Sequence, residues 1–186
     1  MTLVGFQKWL VHAFARWTTV GRFMHTAWGW PAAESVHFVG LSLLFGTLAV
    51  WDLRLLGVGR RIPVSSLHAL VRWVLIGYAL SVTSGVAFLM AEPTEYIYNV
   101  AFHDKVLFML LAGINAGVFY LTVGRRTLAR GADQDAPLPA KVFAVVSLAM
   151  WIGVIVSGRL LTFYRPGWCG VEIPSVVASC VPQIWP

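Results

Sequence analysis

Between Pro31 and Trp51 the chain is an almost unbroken apolar stretch. At about 1.5 Å of rise per residue, a helix of that length crosses a hydrocarbon core about 30 Å thick. Three stretches of the same kind follow. Ser65 or Ser66 can cap one that continues to about Met90, the next spans about Asn99 to Val123, and the last about Val142 to Phe163. Pro31 suits the first turn of its helix, where the missing N–H has no helical acceptor to lose. Only 12% of the residues are charged, 58% are hydrophobic and the mean hydropathy is +0.73, which excludes disorder and exceeds what a soluble domain carries. The expected fold is all-α, an integral membrane four-helix bundle over 31–164. Residues 1–30 precede it as an interfacial helix and linker, and residues 165–186 follow as a tail.

The flanks set the topology. From Phe6 to Val20, Lys8, His12 and Arg16 recur every fourth residue, the pattern of an amphipathic helix lying in the interface. The same charges interrupt what would otherwise resemble a Sec signal peptide. Arg22, His25, Trp28 and Trp30 read as an interfacial belt. One loop carries Arg54, Arg60 and Arg61, another Arg125, Arg126, Arg130 and Lys141, whereas the loop between them carries Glu92 and Glu95. The positive-inside rule then puts the two basic loops in the cytoplasm of a bacterial inner membrane, with both termini outside. The formal charge of +6 is accounted for by topology and anionic lipid, without nucleic acid. Cys169 and Cys180 would lie in an oxidising compartment, and a Cys169–Cys180 disulfide is expected. Gly77, Ser81 and Gly85, and separately Gly113 and Gly117, form small-residue faces for close helix approach, with Asn115 as interhelical polar glue.

Chemistry is expected where ionisable groups enter the spans. Glu34, His37, Leu41, Leu44 and Leu48 share one stripe, and Asp52 returns to the azimuth of Glu34. Turned to lipid, an acid or imidazole costs on the order of 2–3 kcal/mol, so the stripe must face protein or a cofactor. The topology collects Glu34, His37, His103, Lys105 and Arg159 at one end of the bundle. His37 and His103 lie roughly 9 Å and 6 Å inside their helices, and two imidazoles on separate helices at similar depth suit the axial ligation of a b-type haem. Lys105 and Arg159 would neutralise its propionates, and Glu34 would accept the other ring N–H of His37. This points to a membrane-anchoring electron-transfer subunit, with no stand-alone catalytic domain, that works with other subunits of a larger redox complex.

Two other readings fit the same residues. A copper ion or proton could pass along Glu34, His37, His103, Asp52 and His68, or these groups could only fix helix pairing in a structural subunit. His68 lies at the opposite leaflet from His37 and is expected to pair with Asp52, to handle protons, or to hold a second haem by a single axial bond. No C-x-x-C-H, Walker or dinucleotide pattern occurs in a suitable setting. The single E-x-x-H from Glu34 to His37 has no second copy to complete a di-iron site.

Glu34-Ser35-Val36-His37, Asp52 to Gly57, Arg61-Ile62-Pro63, Leu67-His68, the run from Lys105 to Asn115 and Gly158-Arg159 resemble a family of uncharacterised bacterial four-helix membrane proteins. There is a fainter likeness to membrane domains of the copper-resistance D type. The resemblance covers Pro31 to Tyr164 and implies the fold, with no reaction attached to it.

Overall fold

A computed structural model of the chain describes residues 3–15, 18–164, 166–168 and 180–181. Among these, four helices are long and apolar enough to cross a membrane: α3 (Gly29–Leu55), α4 (Val64–Ala91), α6 (Val100–Leu128) and α7 (Leu138–Leu160). They are preceded by α1 (Leu3–Ala15) and α2 (Thr18–Met24), and the short α5 (Pro93–Ile97) joins α4 to α6. Helices are the natural outcome, because lipid offers backbone N–H and C=O groups no partners and each segment must satisfy its own. Large apolar side chains such as Leu75, Leu110, Ile114 and Leu121 point outward, as the lipid-facing surface of a multi-pass membrane protein requires.

Helix α3 packs along α4, α6 along α7, and the two pairs join through α3 and α7. The α3–α4 crossing is close because small residues meet there. A Cβ placed on Gly77 would fall 2.6 Å from the Leu44 backbone nitrogen, and one on Gly40 would fall 2.7 Å from Ser81 Oγ. Of the two expected small-residue faces, the one containing Gly77 and Ser81 is therefore used. Gly113 and Gly117 are exposed with nothing within 4 Å of a Cβ. Asn115 between them does bridge helices, donating from Nδ2 to the Phe143 carbonyl of α7 at 3.1 Å.

The two ends are tied differently. At the arginine-rich end, Trp51, Leu55, Val64, Phe119, Ala140 and Ala144 belong to one buried cluster. Arg54, 2% exposed, donates from Nε to the Ile62 carbonyl at 2.6 Å and from Nη2 to the carbonyls of Arg60 at 3.1 Å and Gln134 at 3.3 Å. It thereby holds both basic loops together, aided by ion pairs of Arg60 and Lys141 with Asp135. At the other end the Asn99 carboxamide caps α6 by accepting from the Ala101 N–H at 3.0 Å, and its nitrogen donates to the carbonyls of Leu161 and Tyr164 beyond α7.

Some boundaries differ from expectation. The first span is longer at both ends, and over Phe6 to Val20 the described residues are helical, with Leu3–Ala15 (α1) against α5 and α4, and Thr18–Met24 (α2) against α4. Helix α6 contains a π-helical stretch at Tyr120–Gly124. In the tail, Gly167–Trp168 pairs in parallel with Cys180–Val181, while Cys169, and with it the expected disulfide, lies outside the described residues.

The crossing predicts an asymmetry between glycines. Gly77→Leu should lower the unfolding midpoint in detergent, on the scale of about 1–3 kcal/mol for an overpacked contact, whereas Gly113→Leu should leave it unchanged. Equal midpoints for the two variants would contradict this packing.

Candidate functional site

Helix α3 carries polar side chains near both ends and leucines between them. Near its start, His37 is half-buried, and its Nδ1 lies 2.9 Å from Ser84 Oγ of α4. The Ser84 hydroxyl has one proton and points it at the Leu80 carbonyl, 2.7 Å away, so towards His37 it is an acceptor. The ring must then donate from Nδ1, which in the neutral imidazole leaves Nε2 as the bare nitrogen. The edge of the His37 ring meets Phe88, with centroids 5.7 Å apart. Lys105 comes to the same end from α6. Its half-buried side chain passes beside Gly158 of α7, with Nζ 3.6 Å from where a Cβ there would stand, and its charge acts on His37.

The other expected members of this site are turned elsewhere. His103 is exposed, with Nε2 2.9 Å from the Ile97 carbonyl, and it lines a groove of about 460 Å³ against Phe6, Gln7 and Leu10 of α1. Glu34 is exposed and makes no hydrogen bond to His37. Arg159 is exposed and lies over the Phe163 ring at 4.9 Å. The His37 and His103 rings are thus engaged by separate neighbours. The cause is helical geometry: His103 and Lys105 are two residues apart, about 200° around the axis, so α6 can turn only one of them into the bundle. Lys105, Phe108, Ala112, Asn115 and Phe119 form the stripe that faces α7, and the Phe108 ring fills the space over Gly153. That stripe was present in the sequence as three- and four-residue spacing, and it would have favoured Lys105 over His103.

At the arginine-rich end all four spans enclose a cavity of about 190 Å³. Its wall is largely apolar and aromatic, with Trp51, Phe119, Tyr120 and Phe143, and polar only at Thr47, Asp52, Asn115 and Ser147. Asp52 is 3% exposed. Ser147 of α7 shares the cavity wall with it, and Oδ2 has no partner. Arg54, two residues on, is spent on the loop carbonyls and forms no ion pair with it. His68 does not pair with Asp52 either. Its exposed ring sits between Trp51 and Tyr120, each 6.1 Å away between centroids. A carboxyl group stripped of water must be matched by a proton, a cation or hydrogen-bond donors, and here the fold leaves Oδ2 without one. The sequence marked Asp52 as the far end of a stripe and as one stop on a copper or proton route; the enclosing cavity comes from the other three helices.

Among the described residues, no group of three His, Cys, Asp or Glu side chains comes together to hold a metal ion. Four apolar spans around internal polar groups define a multi-pass α-helical membrane protein. Residues 7–164 match the model of the family of unknown function DUF6644, and the chain belongs to that family. The match begins in α1, so the amino-terminal helices are part of the shared unit and not an addition to a core starting at Pro31. No curated protein and no solved structure matches the chain.

The His37–Ser84 geometry fixes a tautomer. In protein labelled with 15N-histidine, His37 should show the Nδ1–H form, and Ser84→Ala should redistribute it towards a mixture. A dominant Nε2–H form in the unsubstituted protein would contradict the assignment.

Proposed function

We propose that this protein moves protons within the membrane, with Asp52 as the group that accepts and releases them. The observation that carries this reading is the Asp52 carboxyl, enclosed by four apolar helices, facing a cavity, with Oδ2 unpaired and in no ion pair among the described residues. An intramembrane acid with those features is a functional-site hypothesis by default, because retaining it costs stability. His37, Ser84 and Ser81 give the opposite end of α3 a matching set of proton-exchanging or hydrogen-bonding groups. His37 and Asp52 are fifteen residues apart, roughly 22 Å along the helix. Leu44, 1% exposed, lies between them, so in this arrangement an apolar layer separates the two polar ends, and passage across it requires a gated step. On this reading the basic loops face the cytoplasm of a bacterial inner membrane, and the surrounding lipid is the first partner of the bundle.

A second reading, electron transfer by a b-type haem, is favoured by one feature: Ser84 orients His37 through Nδ1 and leaves Nε2 available, as the outer partners of metal-ligating histidines do. Lys105 would be the cation nearest a propionate. Because His103 is turned to the α1 groove, this chain would supply one axial imidazole and another subunit of a redox complex the second. A copper route has less support, since no cluster of ligands forms along it among the described residues.

The readings separate experimentally. In sealed vesicles holding a pH-sensitive dye, with a potassium diffusion potential imposed, the protein should speed proton entry above the protein-free rate. Asp52→Asn should return entry to background, and Leu44→Ala should raise it. Unchanged entry in Asp52→Asn would contradict the proton reading. The haem reading instead predicts a Soret band with sharp reduced α and β bands in the purified protein, lost in His37→Ala, and a colourless preparation excludes it.

A further inference from the structure

Helices α4 and α6 both line the Asp52 cavity; they meet near the arginine-rich end, where the His68 ring contacts Tyr120, but make no extended contact beyond it, since α4 packs along α3 and α6 along α7. Leu75 on α4 and Ala116 and Tyr120 on α6 are wall residues of the cavity that are also exposed. The cavity therefore reaches the lipid-facing surface along this seam. We propose that it takes the ring of a membrane-soluble hydroquinone, which enters sideways from the bilayer through the α4–α6 seam and donates a hydroxyl hydrogen bond to Asp52. The inference rests on the assignment of Asp52 as the proton-exchanging group.

Size, wall chemistry and polarity each point to this ligand class. An apolar cavity of about 150 Å³ holds a benzene ring, and this one is about 190 Å³. Trp51, Phe119 and Phe143 offer ring faces and edges to an aromatic guest. The unpaired Oδ2 of Asp52 is free to accept a hydrogen bond, and a hydroquinone brings two donors. Its second hydroxyl has the amide oxygen of Asn115 as a candidate acceptor, because the bond from Asn115 to Phe143 uses the nitrogen. An alkyl or isoprenoid tail would lie in the seam among Leu75 and the neighbouring lipid-facing side chains. A hydrated metal ion suits the site less well, since one carboxylate in an apolar wall leaves most of its coordination unmet. A fatty acid would set a second carboxylate against Asp52.

The test uses the full-length protein in nanodiscs of phosphatidylethanolamine and phosphatidylglycerol, titrated with a decyl-tailed benzohydroquinone kept reduced by dithionite. Binding is read as saturable quenching of tryptophan fluorescence beyond that of free tryptophan in the same discs, and as a rise in thermal midpoint. Saturable binding is expected, about tenfold weaker in Asp52→Asn, the scale of one hydrogen bond to a charged or strongly accepting group. Ala116→Phe, which fills the mouth of the seam, should abolish binding while its ligand-free midpoint stays that of the unsubstituted protein. Binding unaffected by either variant would place the ligand elsewhere, such as the His103 groove, and overturn the proposal. Should no saturable binding occur while Asp52-dependent proton entry persists in quinone-free vesicles, the ligand assignment fails alone. If that proton entry is absent as well, both assignments fail together.

Discussion

A hydroxyl in a lipid-facing bundle can turn back to its own helix, as Thr47 does, but a carboxyl or imidazole depends on what the neighbouring helices bring to it, and the rest of this structure follows from where α3 receives such help. The close crossing of α3 and α4 at Gly40 and Gly77 draws Ser81 and Ser84 against the first half of α3. That approach hands His37 a hydroxyl partner and fixes its ring. No equivalent crossing exists at the other end, where α4 and α6 meet only near His68 and Tyr120 and Asp52 faces a cavity instead of a complete set of donors. One helix therefore ends in a closed polar contact on one side and an open one on the other.

The contrast between Asp52 and Arg54 makes the open contact informative. Both are buried, belong to the same helical turn and keep one atom unpaired, Asp52 Oδ2 and Arg54 Nη1, yet Arg54 also fastens two loops by bonds to three backbone carbonyls, work that stabilises the fold at the membrane boundary. Asp52 fastens little: it faces the cavity beside Ser147, and its Oδ2 is unpaired. Removing one partner from a buried, fully paired polar group costs about 1–3 kcal/mol. A carboxyl that the fold leaves only partly paired is better explained by what it does than by what it holds together.

The spans and their connections were legible in the sequence because hydrophobic length against bilayer thickness is a strong constraint that tertiary packing rarely overrides. The use of Asn115 as a bridge between helices was legible for a related reason, an amide in lipid having few alternatives. Helix rotation was much less so. His103 and Lys105 are both plausible inward residues by composition, and only the stripe through Phe108, Ala112 and Phe119 decides in favour of Lys105, because Phe108 must meet Gly153. Likewise Gly113 and Gly117 look like a contact face by spacing alone, but the bulk of Phe108 and Phe119 turns a different side of α6 towards α7. The cavity could not be read from the chain at all, since it arises where two helices distant in sequence meet only near their ends, at His68 and Tyr120, and leave a seam beyond.

The central claim is that Asp52 exchanges its proton inside the bundle, and infrared spectroscopy of the purified protein tests it most directly. The account predicts a carboxylic-acid C=O band that grows and fades across a pH titration, shifts in D2O and is missing from Asp52→Asn. A spectrum in which no titrating, deuterium-sensitive band disappears with that substitution would contradict it.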